Sequence, residues 1–135
     1  MITPKIDEEF VKEGAEKVTT REIEKVVEKS EDIEKKFEAR GPLKRFIEDF
    51  RVLKALVQDY RVGKYRQALY GTIAAVVFAL LYVFNPFDLV PDVLPIIGVL
   101  DDASVMTACL MLIERDLRKY RNWKEHQLMV DEIKK

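Results

Sequence analysis

The sequence predicts an all-α chain: a helical hairpin joined by a Pro/Asp-rich turn, preceded by an amphipathic helix and a charged N-terminal helical arm. Three observations predict it. Apolar residues recur at three-to-four spacing over 43–60 and again over 106–120, the period of one helix face. Only five glycines occur in 135 residues and β-branched runs are short, which favours helix over strand. Start and stop signals lie between the apolar stretches: Thr19-x-x-Glu22, Gly41-Pro42, and a cluster of prolines and aspartates between 85 and 102.

The first element, residues 5–40, reads as one or two charged helices. Thr19 and Glu22 form a capping box, in which hydroxyl and carboxylate serve each other's backbone donors. Behind it Ile23, Val26, Ile33 and Phe37 keep helical spacing, with Ser30 interrupting the stripe. The expectation is a surface or partner-binding arm over 1–41, helical or partly disordered, ended by Gly41-Pro42, with the rest of the chain, 42–135, as the helical domain. In residues 43–60, Leu43, Phe46, Ile47, Phe50, Leu53, Leu56, Val57 and Tyr60 share one stripe, while Lys44, Arg45, Arg51 and Lys54 lie off it. Such a helix either faces a core with a basic solvent side or lies on an anionic membrane.

Residues 67–87 contain no charge. As a helix over 67–85 they would extend about 28 Å, close to the roughly 30 Å of bilayer hydrocarbon. Arg61, Lys64 and Arg66 precede the run, and Tyr65, Tyr70 and Tyr82 stand near its ends, as interfacial aromatics would. The central helix of a bundle fits the same pattern. The last helix is expected over about 102–124 or beyond, with a packing seam at Met106, Leu110, Ile113, Leu117 and Tyr120. Cys109 falls within its apolar part and reads as packing. Trp123 reads as a packing or interfacial residue, and His126, on a polar tail, as a surface one.

The net charge of −1 conceals segregation. Residues 1–40 carry nine Lys/Arg against twelve Asp/Glu, 41–66 seven against three, 67–113 none against four, and 114–135 seven against five. No basic face alternates with exposed aromatics, so nucleic acid is not an expected partner. One cysteine excludes an intrachain disulfide and the usual structural zinc sites. No apolar leader opens the charged N-terminal stretch, which points to the cytoplasm or the cytoplasmic face of a membrane.

The chemistry-bearing candidate is NPFDLVPDVLPIIGVLDD, residues 85–102. Capping accounts for each acid. Asn85-Pro86 can open a short turn with Asp88 at its third position, Asp92 can cap the next with Pro95 inside and Gly98 closing it, and Asp101 or Asp102 can cap the last helix. The alternative is convergence: Asp88, Asp92, Asp101 and Asp102 are the candidates for an oxygen-only site suited to Mg²⁺, Ca²⁺ or Mn²⁺, or for a polar latch. The two acids at 101 and 102 would each cost roughly 2.5–3.5 kcal/mol near a bilayer centre, so a second full crossing over 93–113 is disfavoured. EF-hand spacing, a P-loop and a nucleophile–base pair are absent from the sequence. The chain is not expected to be an enzyme, and no cofactor, metal or small-molecule substrate is assigned.

The pattern of Pro86, Asp88, Leu89, Val90, Pro91, Asp92, Pro95, Gly98, Asp101 and Asp102 closely resembles the signature of the YkvA-like domain family. The resemblance covers about residues 55–113, with Asn85 where the family usually has Ser. It implies a small bacterial or archaeal domain of unknown biochemical function that associates with membranes, and it supplies no catalytic residues. The combined expectation is a membrane-associated helical protein on the cytoplasmic face, serving as a scaffold or interaction module, with lipid and a protein partner or second copy as its contacts. The alternatives are a soluble, cytoplasmic helical homo-oligomer and, below it, a divalent-cation sensor or enzyme built on the aspartates.

Overall fold

The computed structural model describes residues 4–39, 41–85 and 101–134. Among them are eight helices and no strand: α1 Pro4–Ala15, α2 Thr20–Glu28, α3 Ser30–Ala39, α4 Gly41–Lys44, α5 Ile47–Arg61, α6 Tyr70–Phe84, α7 Asp102–Leu112 and α8 Glu114–Ile133. The fold is all-α, as the periodicity predicts.

Its organising element is α6. This charge-free helix buries eleven of its fifteen residues, and α1, α2, α3, α5 and α7 pack around it. A helix that is apolar all round needs cover on every side, and here the chain's own helices supply it. At fifteen residues α6 is about 22 Å long. Among the described residues no helix is long and apolar enough to cross a membrane. Tyr65 and Tyr82, expected at an interface, are instead buried.

The residues expected to form an arm lie in the same core. Phe10 and Val11 of α1 are fully buried, as are Ile33 and Phe37 of α3. Phe10 meets Phe78 and Tyr82 edge-on at 5.5 and 5.4 Å between ring centroids. Phe37 stacks on Phe50 of α5 at 5.0 Å. Gly14 lies directly against the Phe78 ring, where a methyl group would overlap it. The arm thus supplies part of the wall around α6. It is three helices, because breaks at 16–19 and at Lys29 turn the chain around the core.

The 43–60 stripe faces the interior: Leu43, Phe46, Phe50, Leu53, Leu56 and Val57 are buried. Gly41-Pro42 opens the single turn α4 rather than only ending the helix before it, since proline suits the first turn of a helix. Acids of the arm meet cations of α5, with Glu24 on Arg61 at 2.5 and 2.8 Å and Glu34 near Lys54 at 3.8 Å. The charge segregation along the chain is partly cancelled across this seam, although exposed pairs of this kind contribute little stability. The expected last helix divides at Ile113 into α7 and α8, and Met106, Ile113, Leu117 and Tyr120 of its seam are buried.

Candidate functional site

Of the motif, Asp101 and Asp102 are described. Pro86, Asp88, Leu89, Val90, Pro91, Asp92, Pro95 and Gly98 lie outside the described residues, and with them the expected turns and any meeting of the four carboxylates. Asp101 is the N-cap of α7. Its carboxylate accepts from the Ser104 N–H at 3.1 Å and from the Ser104 hydroxyl at 2.8 Å. These two bonds, reinforced by the Arg45 charge, hold its carboxyl below the usual carboxylate range. Asp102 is the first residue of the helix, where an acid complements the dipole. A cleft of about 310 Å³ borders the cap, with Arg45, Asp101, Ser104, Thr107 and Met111 on its walls. Both Asp101 oxygens are engaged by Ser104, so this end of the motif works as a cap. Among the described residues, no three His, Cys, Asp or Glu side chains are grouped to hold a metal.

Two polar arrangements escaped the sequence reading. The first serves the ends of α6, which has no charged residue of its own. Asp116 of α8 accepts from the Leu69 N–H at 3.2 Å and the Thr72 hydroxyl at 2.6 Å, at the N-terminal end. At the other end the Lys36 ammonium donates to the Phe84 carbonyl and lies 5.5 Å from the Phe84 ring. An acid at the N-terminus and a cation at the C-terminus are what the unsatisfied backbone groups and the dipole of a helix favour. Both come from distant parts of the chain, so no local motif announces them.

The second is a buried carboxylate. Asp59 is 8% exposed, accepting from the Tyr120 hydroxyl at 2.6 Å and the Lys124 ammonium at 3.1 Å. Its backbone carbonyl also accepts from the N–H groups of Lys64 and Tyr65. Asp59 therefore fixes both α8 and the α5–α6 connection to the end of α5. Tyr65, Tyr120 and Trp123 pack around it, Tyr65 lying 5.0 Å from each of the other two rings. Burial and the neighbouring Asp59 carboxylate push the Tyr120 hydroxyl well above the ordinary tyrosine range. A signal was present in the sequence: Asp59 follows Leu56 by three on the apolar face of its helix.

The connection between α5 and α6 is the outward-facing part of this region. Gly63 has φ +85°, the left-handed conformation that glycine adopts without strain, and it turns the chain out of α5. Val62, Leu69 and Tyr70 are 60%, 69% and 46% exposed. Lys64 and Arg66 are exposed beside them, the Arg66 guanidinium 4.6 Å from the Tyr60 ring centroid. Leu69 and Tyr70 border an open, mostly apolar groove of about 540 Å³, shared with Ala15, Ala74 and Leu112, with Lys12 and Glu16 also on its walls.

Comparison with known proteins places this architecture. A family described as "Protein of unknown function (DUF1232)" matches residues 72–108, most of α6 through the first part of α7. An "Uncharacterized membrane protein YkvA" of Bacillus subtilis (strain 168) is 34% identical over 62 residues, 46% of this chain and 58% of that protein. The chain thus spans little more than half the length of this curated relative. No solved structure matches significantly. On these two matches, the segment that carries most of α6 and the motif is similar to the YkvA-like domains of the DUF1232 family.

Proposed function

We propose that the chain is a membrane-associated helical module, held at the cytoplasmic face from outside the hydrocarbon, which acts as a scaffold or interaction module rather than as an enzyme. The observation that carries this reading is the enclosure of α6. The one charge-free helix that sequence reasoning could send across a bilayer is surrounded by five helices of its own chain. Unwrapping them would expose Phe10, Phe37, Phe78 and Tyr82, each a large buried apolar or aromatic side chain worth about 1.5–3 kcal/mol or more of burial. Attachment without crossing reconciles this with the membrane name of the Bacillus subtilis relative.

Fractionation of cells carrying the native chain tests the reading. The protein should sediment with membranes and be released by high salt or alkaline carbonate. Recovery wholly in the soluble fraction would end the membrane reading, and resistance to carbonate would end the peripheral one. A second reading, a helical homo-oligomer, draws support from Leu128, Met129 and Ile133, which are 61%, 65% and 81% exposed along the last turns of α8. Light scattering that finds a monomer in aqueous buffer would remove it.

A further inference from the structure

We infer that the α5–α6 connection is the surface by which the chain meets an anionic lipid bilayer, with Val62, Leu69 and Tyr70 entering the interface and Lys64 and Arg66 meeting the phosphates. The inference rests on the proposed membrane association and assigns it a place. Three features of the segment converge. Residues 60–71 contain three cations and no acid. Val62, Leu69 and Tyr70 among them are some of the most exposed large apolar side chains in the described molecule, although Tyr65 and Ala68 of the same segment lie in the core. The segment is held rigidly, by the Asp59 carbonyl at its start, by Asp116 on the Leu69 N–H at its end and by the Tyr70 hydroxyl on the Val18 carbonyl at 3.1 Å. Exposed apolar side chains on a pinned loop present a preformed surface with little ordering cost.

Charge selects the occupant. Arg61 is also exposed but already paired with Glu24, so Lys64 and Arg66 are the exposed cations of the loop that pair with no carboxylate among the described residues. The nearby Asp116 carboxylate is engaged by Thr72 and Leu69, and Lys12 and Glu16, of opposite charge, both line the groove. A loop with net positive charge and projecting apolar groups matches the lipid–water boundary of an anionic leaflet, where each basic residue near the surface strengthens binding several-fold.

The test is co-sedimentation of the full chain with vesicles of phosphatidylcholine alone and with about a third phosphatidylserine. The native chain should favour the anionic vesicles, and less so as salt rises. The double variant Lys64→Ala, Arg66→Ala should lose about thirty-fold in partitioning onto anionic vesicles. The double variant Val62→Ser, Leu69→Ser should lose ten-fold or more on both vesicle types. All four positions are exposed, so circular dichroism and melting should match the native chain. Undiminished binding by both variants would overturn the inference while leaving membrane association intact. A native chain that binds no vesicle yet sediments with cell membranes would also overturn it, in favour of a membrane-protein receptor. A native chain absent from cell membranes altogether would remove the reading on which the inference stands.

Discussion

Gly14→Ala separates an arm that stands off the domain from one that is part of its core. On a solvated helix this change is favourable by about 0.8–1 kcal/mol, because alanine loses less backbone freedom than glycine. In this fold the new methyl would overlap the Phe78 ring. That ring is 1% exposed and flanked by Phe10 at 5.5 Å and Tyr82 at 6.1 Å, so it has little room to swing aside. Overpacking of a filled core costs typically about 1–3 kcal/mol, and after the propensity gain the net change runs from about zero to a loss of about 2 kcal/mol. Phe78→Leu alone should cost on the order of 1.5 kcal/mol by removing buried volume. Combined, the smaller side chain accommodates the methyl, and the double variant should be no less stable than Phe78→Leu by itself. Urea unfolding, followed by circular dichroism and by the single tryptophan Trp123, measures all four proteins. Stabilisation by Gly14→Ala, or losses that simply add in the double variant, would refute the packing of α1 on α6.

Three further outcomes are expected. Asp101→Asn should change stability little because asparagine also caps, whereas Asp101→Ala should cost about 1 kcal/mol; equal damage from both in thermal melts would mean that charge, not capping, is what Asp101 supplies. Asp59→Ala should cost about 2–4 kcal/mol, because it removes a charge-assisted bond and leaves the buried Tyr120 hydroxyl without its acceptor. The double variant Asp59→Ala, Tyr120→Phe should recover part of that loss, and simple additivity in denaturation would argue against the pairing. Burial pushes the Cys109 thiol up to about 12 and also raises Tyr65 and Tyr120 above their ordinary values. Groups raised on folding stabilise fully below their unfolded pKa values, about 8.5 for Cys and 10 for Tyr, and that contribution is lost as pH rises through the folded ones. Urea midpoints should therefore fall from about pH 9 upwards, and Cys109→Ala should delay the onset towards pH 10; an unchanged onset would contradict the buried thiol's part.

Periodicity carried the reading furthest where one helix face meets one core. The stripe from Leu43 to Val57 and the seam from Met106 to Tyr120 were legible because burial imposes a spacing that can be counted along the chain. The caps at Thr19–Glu22 and Asp101 were legible for a related reason: each is complete within four residues. The break at Ile113 was not, since the seam spacing of Leu110, Ile113, Leu117 and Tyr120 continues across it.

The sequence by itself determined that the chain is helical, that it carries a YkvA-like motif, and that residues 67–87 form a charge-free run whose apolar residues call for shielding. It could not say what shields them, because an apolar helix has the same composition in lipid and inside a bundle. Only the tertiary structure decided that α1, α2 and α3 of the charged N-terminal stretch, whose narrow apolar stripe suggested a solvated arm, pack on α6 and bury Phe10, Ile33 and Phe37. The same is true of the polar contacts that hold the bundle. Lys36 on Phe84, Asp116 on Leu69 and Thr72, and Tyr120 and Lys124 on Asp59 join residues 44 to 65 positions apart. Their partners are chosen by packing in three dimensions, and no local pattern encodes a meeting over that distance.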